Sequence, residues 1–186
     1  MKKYLFILCT IILGVNLSFA QETGKWRGGL EGGFLYPVEG SIGILGAAEV
    51  KYNIQKNMNV GLKTEVTSYM LNKSQSGKLL SFSFTYDYYL HYANRKFSPF
   101  VGGGLGYFFC KINDFVYVDD SHEYEVDRKI NNPTVFIRTG FEVWKFRTTL
   151  ACNLARKPSE KHIEMRINDY ISLSIGFYLG GGKWKK

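Results

Sequence analysis

Ten charged residues recur at alternate positions, with apolar side chains between them: Arg27, Glu31, Glu49, Lys51, Lys63, Glu65, Asp87, Arg138, Glu142 and Arg147. Both signs are present. Carboxylates held close together do general acid/base work, and charged linings conduct ions. A third outcome is structural: opposite charges crowded into a closed space pair with one another and fill it. Acid/base chemistry needs a substrate cleft, and conduction needs a wide lumen. Which outcome applies depends on the elements that carry the ten.

A second group is acidic. Asp114, Asp119, Asp120, Glu123, Glu125 and Asp127 lie within 113–132, among Phe115, Tyr117 and Tyr124. Such a segment can bind Ca²⁺, a basic partner or a host surface, but its spacing does not match an EF-hand loop. A solvated loop or a projecting β-hairpin is the simpler expectation, since Glu123 to Asp127 alternates as a strand does. The histidines are His91, His122 and His162, and no Ser-plus-acid pattern accompanies them. The glycines at 102–104 and 106 do not complete a G-x-G-x-x-G loop and lead into Tyr107-Phe108-Phe109, not a helix start. Cys110 and Cys152 fall on opposite phases of their segments, so free thiols are expected, and no metal-ligand spacing occurs. Neither a cofactor nor a metal is expected.

The elements that must position these residues are strands, because the hydrophobic period is 2 almost everywhere. Lys78 to Tyr92 is the clearest. Leu80, Phe82, Phe84, Tyr86, Tyr88, Leu90 and Tyr92 share one face; Ser81, Ser83, Thr85, Asp87, Tyr89 and His91 share the other. This is long for a soluble strand and suits a membrane-spanning one, which needs roughly 9–11 tilted residues. The pattern recurs in Trp26 to Tyr36, Gly43 to Ile54, Met58 to Met70, Ser98 to Ile112, Pro133 to Val143, Phe146 to Ala155 and Ile167 to Leu179. Each of these sets an apolar face, such as Leu30 and Phe34 or Leu173 and Ile175, against a more polar one, except that the partner face of Ser98 to Ile112 is Gly-rich.

The first 20 residues read differently. Lys2 and Lys3 precede an apolar run, Tyr4 to Val15, that is too short to cross a bilayer. Ser18-Phe19-Ala20 fits a cleavage site. Residues 1–20 are expected to be a cleaved signal peptide and 21–186 one domain. A lipoprotein is disfavoured, because Cys9 sits inside the apolar run. Removing Lys2 and Lys3 leaves 22 basic against 16 acidic residues, a net of +6. An exported protein rarely meets nucleic acid, so that partner class is set aside.

Eight strands is an even number, as a closed antiparallel bacterial barrel requires. Closure pairs every backbone N–H and C=O, which lipid demands. The connections near 55–57, 93–96 and 145 are short. Those near 37–41, 72–77, 113–132 and 156–166 are expected to be longer, an alternation typical of outer-membrane barrels. A basic residue facing mid-bilayer lipid costs roughly 2–4 kcal/mol, so the ten charged residues are expected in the lumen. A barrel of about eight strands is only wide enough for side chains to fill, which favours the ion-paired plug. Trp26, Tyr36, Tyr52, Tyr69, Tyr92, Trp144, Tyr170 and Trp184 lie near strand ends and are expected to form interfacial girdles.

The segment Ser98-Pro99-Phe100-Val101-Gly102-Gly103-Gly104-Leu105-Gly106-Tyr107 resembles a strand of the small outer-membrane β-barrel (porin-like, OmpA/OmpX-type) family. The final strand, Tyr170 to Lys183, resembles its closing strand, especially in Bacteroidetes-type versions. The resemblance implies a transmembrane up-and-down barrel in the outer membrane of a Gram-negative cell, surrounded by outer-membrane lipid and inserted by the barrel assembly machinery. Many members end on an aromatic residue. Here lysines follow Trp184, leaving Phe177 or Trp184 as the assembly signal. The family pattern transfers no catalytic residues. The expected function is a monomeric barrel serving envelope integrity or surface interaction, and not an enzyme. The alternatives are an adhesion module acting on an extracellular partner through 113–132, a lipid-A-modifying enzyme, and a soluble lipocalin-like carrier.

Overall fold

A strand with one apolar and one polar face must turn one of them inward, and a sheet that closes on itself gives all its strands the same choice. In the computed structural model, which describes residues 22–38, 41–72, 75–90, 97–119, 122–155 and 169–181, the eight strands close into one barrel. They are β1 (Trp26–Pro37), β2 (Gly43–Gln55), β3 (Met58–Asn72), β4 (Gln75–Tyr89), β5 (Phe97–Asp119), β6 (His122–Val143), β7 (Phe146–Ala155) and β8 (Tyr170–Gly180). Every neighbour is antiparallel and follows chain order. β1 and β8 complete the ring, with Leu30 opposite Phe177 and Phe34 opposite Leu173. No sheet edge remains along the barrel wall. The expected signal peptide lies outside the described residues.

Strand phase decides what faces inward. Leu30, Leu62 and Ile175 on the outer surface are 70%, 68% and 62% exposed, whereas Lys51, Asp87 and Arg147 inside are 0% exposed. The outer belt mixes aliphatic and aromatic side chains, with Phe82 and Phe84 exposed alongside Leu62, Leu105 and Ile137. Towards the short turns, Trp26 packs at a tilt against Tyr52 and Phe146 against Phe177. The soluble lipocalin-like carrier would need these apolar stripes to line its interior, and they face outward.

Several boundaries differ from the sequence reading. Of the two readings of 113–132, the structure has the hairpin and not the solvated loop: β5 and β6 stay paired from Phe97↔Val143 to Asp119↔His122. Antiparallel pairing supplies each strand with the partner that single-strand periodicity cannot see. The connection read at 72–77 is a tight hairpin, with Asn72 already opposite Gln75. β4 is displaced towards that hairpin and ends at Tyr89, not Tyr92. β8 begins at Tyr170, not Ile167. The β6–β7 turn is Trp144-Lys145, with Trp144 at φ 59°, the left-handed backbone that tight hairpins of this length require.

The aromatic girdle also needs correction. Trp26, Tyr36 and Trp144 are exposed on the outer surface and Tyr52 is partly so. Tyr69 and Tyr170 instead point inward, at 4% and 5% exposure. They occupy the inward phase of their strands, and the wall makes room for Tyr69 through Gly77: a Cβ there would lie 2.7 Å from the Tyr69 ring. Tyr92 and Trp184 lie outside the described residues.

Candidate functional site

The interior is the only place where this chain gathers chemistry among the described residues, and it is layered. At the end carrying the β1–β2, β3–β4 and β5–β6 connections, Leu35, Leu45, Tyr69, Leu79, Phe108, Cys110 and Tyr170 form an apolar layer. Beneath it lie five cations, Arg27, Lys51, Lys63, Arg138 and Arg147, and five carboxylates, Glu31, Glu49, Glu65, Asp87 and Glu142, all buried.

The ten make one continuous set of contacts. Arg138 is the hub. Its Nε donates to Asp87 Oδ1 at 2.7 Å, and its Nη2 donates to Glu49 Oε1 at 2.7 Å and Asp87 Oδ2 at 3.0 Å. Lys51 Nζ donates to Asp87 Oδ2 at 2.7 Å. Arg147 reaches Asp87 at 3.0 Å and Glu142 at 3.1 Å, and Arg27 holds the other oxygen of Glu142 at 2.8 Å. Closer to the apolar layer, Lys63 pairs with Glu65 at 2.6 Å and lies 3.8 Å from Glu31. Planar guanidinium groups suit this role, because each presents a fixed fork of donors to several carboxylates.

The sequence reading identified the charges and set Tyr89 on the face of Asp87, but it missed Tyr178 and Phe100 and read Tyr170 as a girdle residue. The Tyr178 hydroxyl lies between Glu31 (2.5 Å) and Glu49 (2.6 Å). Tyr89 donates to Glu142 at 2.6 Å, and Tyr170 donates to Glu65 at 2.5 Å. The Arg147 guanidinium stacks on Phe100, 3.6 Å from the ring centroid. The signal was present in strand phase, since Tyr178 shares the parity of Ser172 and Ser174. The room for it comes from another strand: a Cβ on Gly29 would collide with the Tyr178 ring.

This arrangement binds charge to charge and leaves little to act on a substrate. Each carboxylate is engaged by cations or hydroxyls, and the apolar layer lies at one end of the lumen. Among the described residues, no group of three or more His, Cys, Asp and Glu could hold a metal ion. Cys110 lies inside the apolar layer, with its sulfur 3.8 Å from the Tyr69 hydroxyl, and Cys152 faces outward; both thiols are free.

The second expected site is only partly within view. Asp114 and Asp119 lie on β5, and Glu123, Glu125 and Asp127 lie on β6, so these acids ride on a paired hairpin. Asp120 lies outside the described residues, as do His91 and His162. His122 opens β6.

No protein-family model matches the chain, and no curated protein matches it. Solved structures do. Neisserial surface protein A aligns with a TM-score of 0.60 at 11% identity, covering 83% of this chain and 95% of that one. The N-terminal β-barrel domain of Pseudomonas aeruginosa OprF aligns with a TM-score of 0.50 at 13% identity, covering 84% and 98%. At such identities the likeness is one of fold: this chain has the closed, eight-stranded, all-antiparallel architecture of outer-membrane barrels.

Proposed function

We propose that this chain is an integral outer-membrane protein: a sealed, non-enzymatic barrel that serves envelope integrity and presents its β5–β6 hairpin at the cell surface. The observation that carries this reading is the inversion of burial. In water, the arrangement would expose a continuous apolar belt far larger than soluble monomers tolerate, while charges lay inside. In lipid, both halves become favourable. Apolar side chains meet hydrocarbon, and each basic residue avoids the roughly 2–4 kcal/mol cost of facing mid-bilayer. Strands of 10 to 23 residues are long enough to cross. Outer-membrane lipid and the barrel assembly machinery are the partners this implies, with exposed Phe177 on β8 as the assembly signal within the described residues.

The ion pairs and the apolar layer above them support a sealed interior, in which the barrel acts as an anchor and not as a pore. The test is gel mobility of an outer-membrane fraction, boiled against unboiled. A heat-dependent shift is the expected result, together with no single-channel steps in planar bilayers. Mature protein found soluble in the periplasm would overturn the membrane reading, and regular conductance steps would overturn the seal.

One observation favours a surface-binding role as well. β4 begins at Gln75, opposite Asp114, and β7 ends at Ala155, opposite Thr134. The β5–β6 pair continues past both to Asp119↔His122. A projecting, acid-rich hairpin suits contact with a basic extracellular partner. Deleting 119–127 should abolish such binding and leave insertion intact; binding unchanged by the deletion would remove this role.

A further inference from the structure

Three strands bring like charges together on the outer wall. Lys78 on β4 lies directly opposite Lys111 on β5, and Lys111 lies directly opposite Lys129 on β6. All three are exposed. Their neighbours Leu79 and Cys110 point into the lumen, so the lysines point away from it. Among the described strand side chains, every other charge is buried. The row stands near the β3–β4 hairpin, at the end of the wall opposite the short turns. The next outward pair towards the short turns is Leu80 with Phe109, and the one after it is Phe82 with Tyr107. The Phe109 ring lies 6.4 Å from Phe82 and 5.3 Å from Tyr107, centroid to centroid. Followed the other way round the barrel, the register passes from Lys78 to Ser68, Ile44, Phe34 and Leu173, so the charge is confined to one sector. Like charges directly opposite destabilise a strand pair, and here two such pairs share Lys111. Lys111 already has an interaction partner of its own, and no ion pair engages Lys78 or Lys129 among the described residues.

Resting on the membrane reading above, we propose that this row and the aromatic shelf beneath it bind one phosphorylated, acylated glycolipid of the outer leaflet. Lys78 and Lys129 supply the contacts. Lys111 between them adds its charge to the field and does not have to be free. Neighbouring strands are spaced so that the outer two lysines spring from backbones about 10 Å apart. Two cations at that separation suit a headgroup that carries two phosphates on a rigid sugar, whereas a single phosphodiester meets only one of them. Lysine stems lie along the apolar wall and lift their ammonium groups to the depth of the phosphates, while Leu80, Phe82, Tyr107 and Phe109 meet the acyl chains. A phosphate beside each lysine also offsets the repulsion that the register imposes. The site is one sector and not a girdle, so it holds one lipid per barrel. A lysine at an anionic surface contributes a preference of about fivefold. Inorganic phosphate offers the same anion without the acyl chains that hold it against the shelf, so it competes poorly.

The test uses the full mature chain in bilayer nanodiscs of phosphatidylcholine with a minor share of bisphosphorylated lipid A, and the lipids that remain bound are counted by native mass spectrometry. One lipid A per barrel should be retained. Retention should fall about fivefold in Lys78→Gln and in Lys129→Gln and be lost in Lys78→Gln/Lys129→Gln. It should persist in Lys78→Arg/Lys129→Arg, in Lys25→Gln at the opposite end, and in the presence of added inorganic phosphate. Lipid A stripped of both phosphates should not be retained. Heat-shifted mobility of each variant confirms that it is folded. No retention by the parent chain, or full retention in the double Gln variant, would overturn the proposal while leaving the membrane reading intact. Several lipids held per barrel, in equal measure across the variants, would overturn it too, since that is an unselective annulus. Displacement by millimolar phosphate would overturn the acylated occupant and leave a free anion in its place. Failure to insert into bilayers with or without lipid A would sink the membrane reading itself.

Discussion

The loop-end layer of the lumen and the cluster beneath it fill the same tube with different chemistry. Leu35, Leu45, Tyr69, Leu79, Phe108, Cys110 and Tyr170 pack by contact. Arg138, Glu49, Asp87, Lys51 and Arg147 pack by charge. Closure of the sheet therefore does not dictate a polar lumen. The apolar layer tolerates imperfect neighbours, since each atom lost forfeits only its own contacts. The charged cluster does not, because a buried ion that loses its partner keeps its full desolvation cost. The charged region is thus the more fragile of the two, and it specifies register more strictly.

That difference sets the order of expected effects. Arg138→Met should be the most damaging, at about 3–5 kcal/mol, because Glu49 and Asp87 both lose their main cation. Urea unfolding of the barrel in detergent or lipid measures it, and a loss below about 1 kcal/mol would mean the cluster is hydrated, not desolvated. Leu79→Ala, in the apolar layer, should cost about 2–3 kcal/mol in the same assay. Should it exceed the loss from Arg138→Met, the ranking of the two regions would be reversed.

The border between them can also be moved. Lys63 and Glu65 are the charged pair next to the apolar layer. Lys63→Met alone strands Glu65, and Glu65→Leu on top of it should restore about 1–3 kcal/mol, as replacing both members of a buried pair does elsewhere. No recovery in the double variant would mean that the hydrogen bond from Tyr170 to Glu65, not the ion pair, holds this level together.

Much of this was legible in the chain because strand phase is a local property: successive side chains leave a strand on opposite faces whatever the partners are. Leu80, Phe82 and Phe84 against Ser81, Ser83 and Asp87 could be read before any fold was known. The same parity singled out the ten charges. What could not be read depended on other strands. For 113–127 a loop and a projecting hairpin were both open, because the pairing that decides between them, such as Phe115 with Glu125, joins two segments. Tyr69 and Tyr170 resembled girdle residues because an aromatic near a strand end suits either face, and the glycine that admits the Tyr69 ring, Gly77, belongs to another strand. The stack of Arg147 on Phe100 needs β5 and β7 to meet across the lumen, which no single segment encodes.

The smallest expected effect lies on the boundary and has the opposite sign. Thr67 faces inward beside Leu45, 1% exposed, and its hydroxyl meets no hydrogen-bond partner among the described residues. A buried hydroxyl without a partner carries a desolvation cost that nothing offsets. Thr67→Val keeps the β-branched shape and removes that cost, so it should stabilise the barrel by about 0.5–1 kcal/mol. Destabilisation by Thr67→Val would place a bound water on the Thr67 hydroxyl. The polar filling would then begin one level closer to the loop end, with the apolar layer thinner than its side chains suggest.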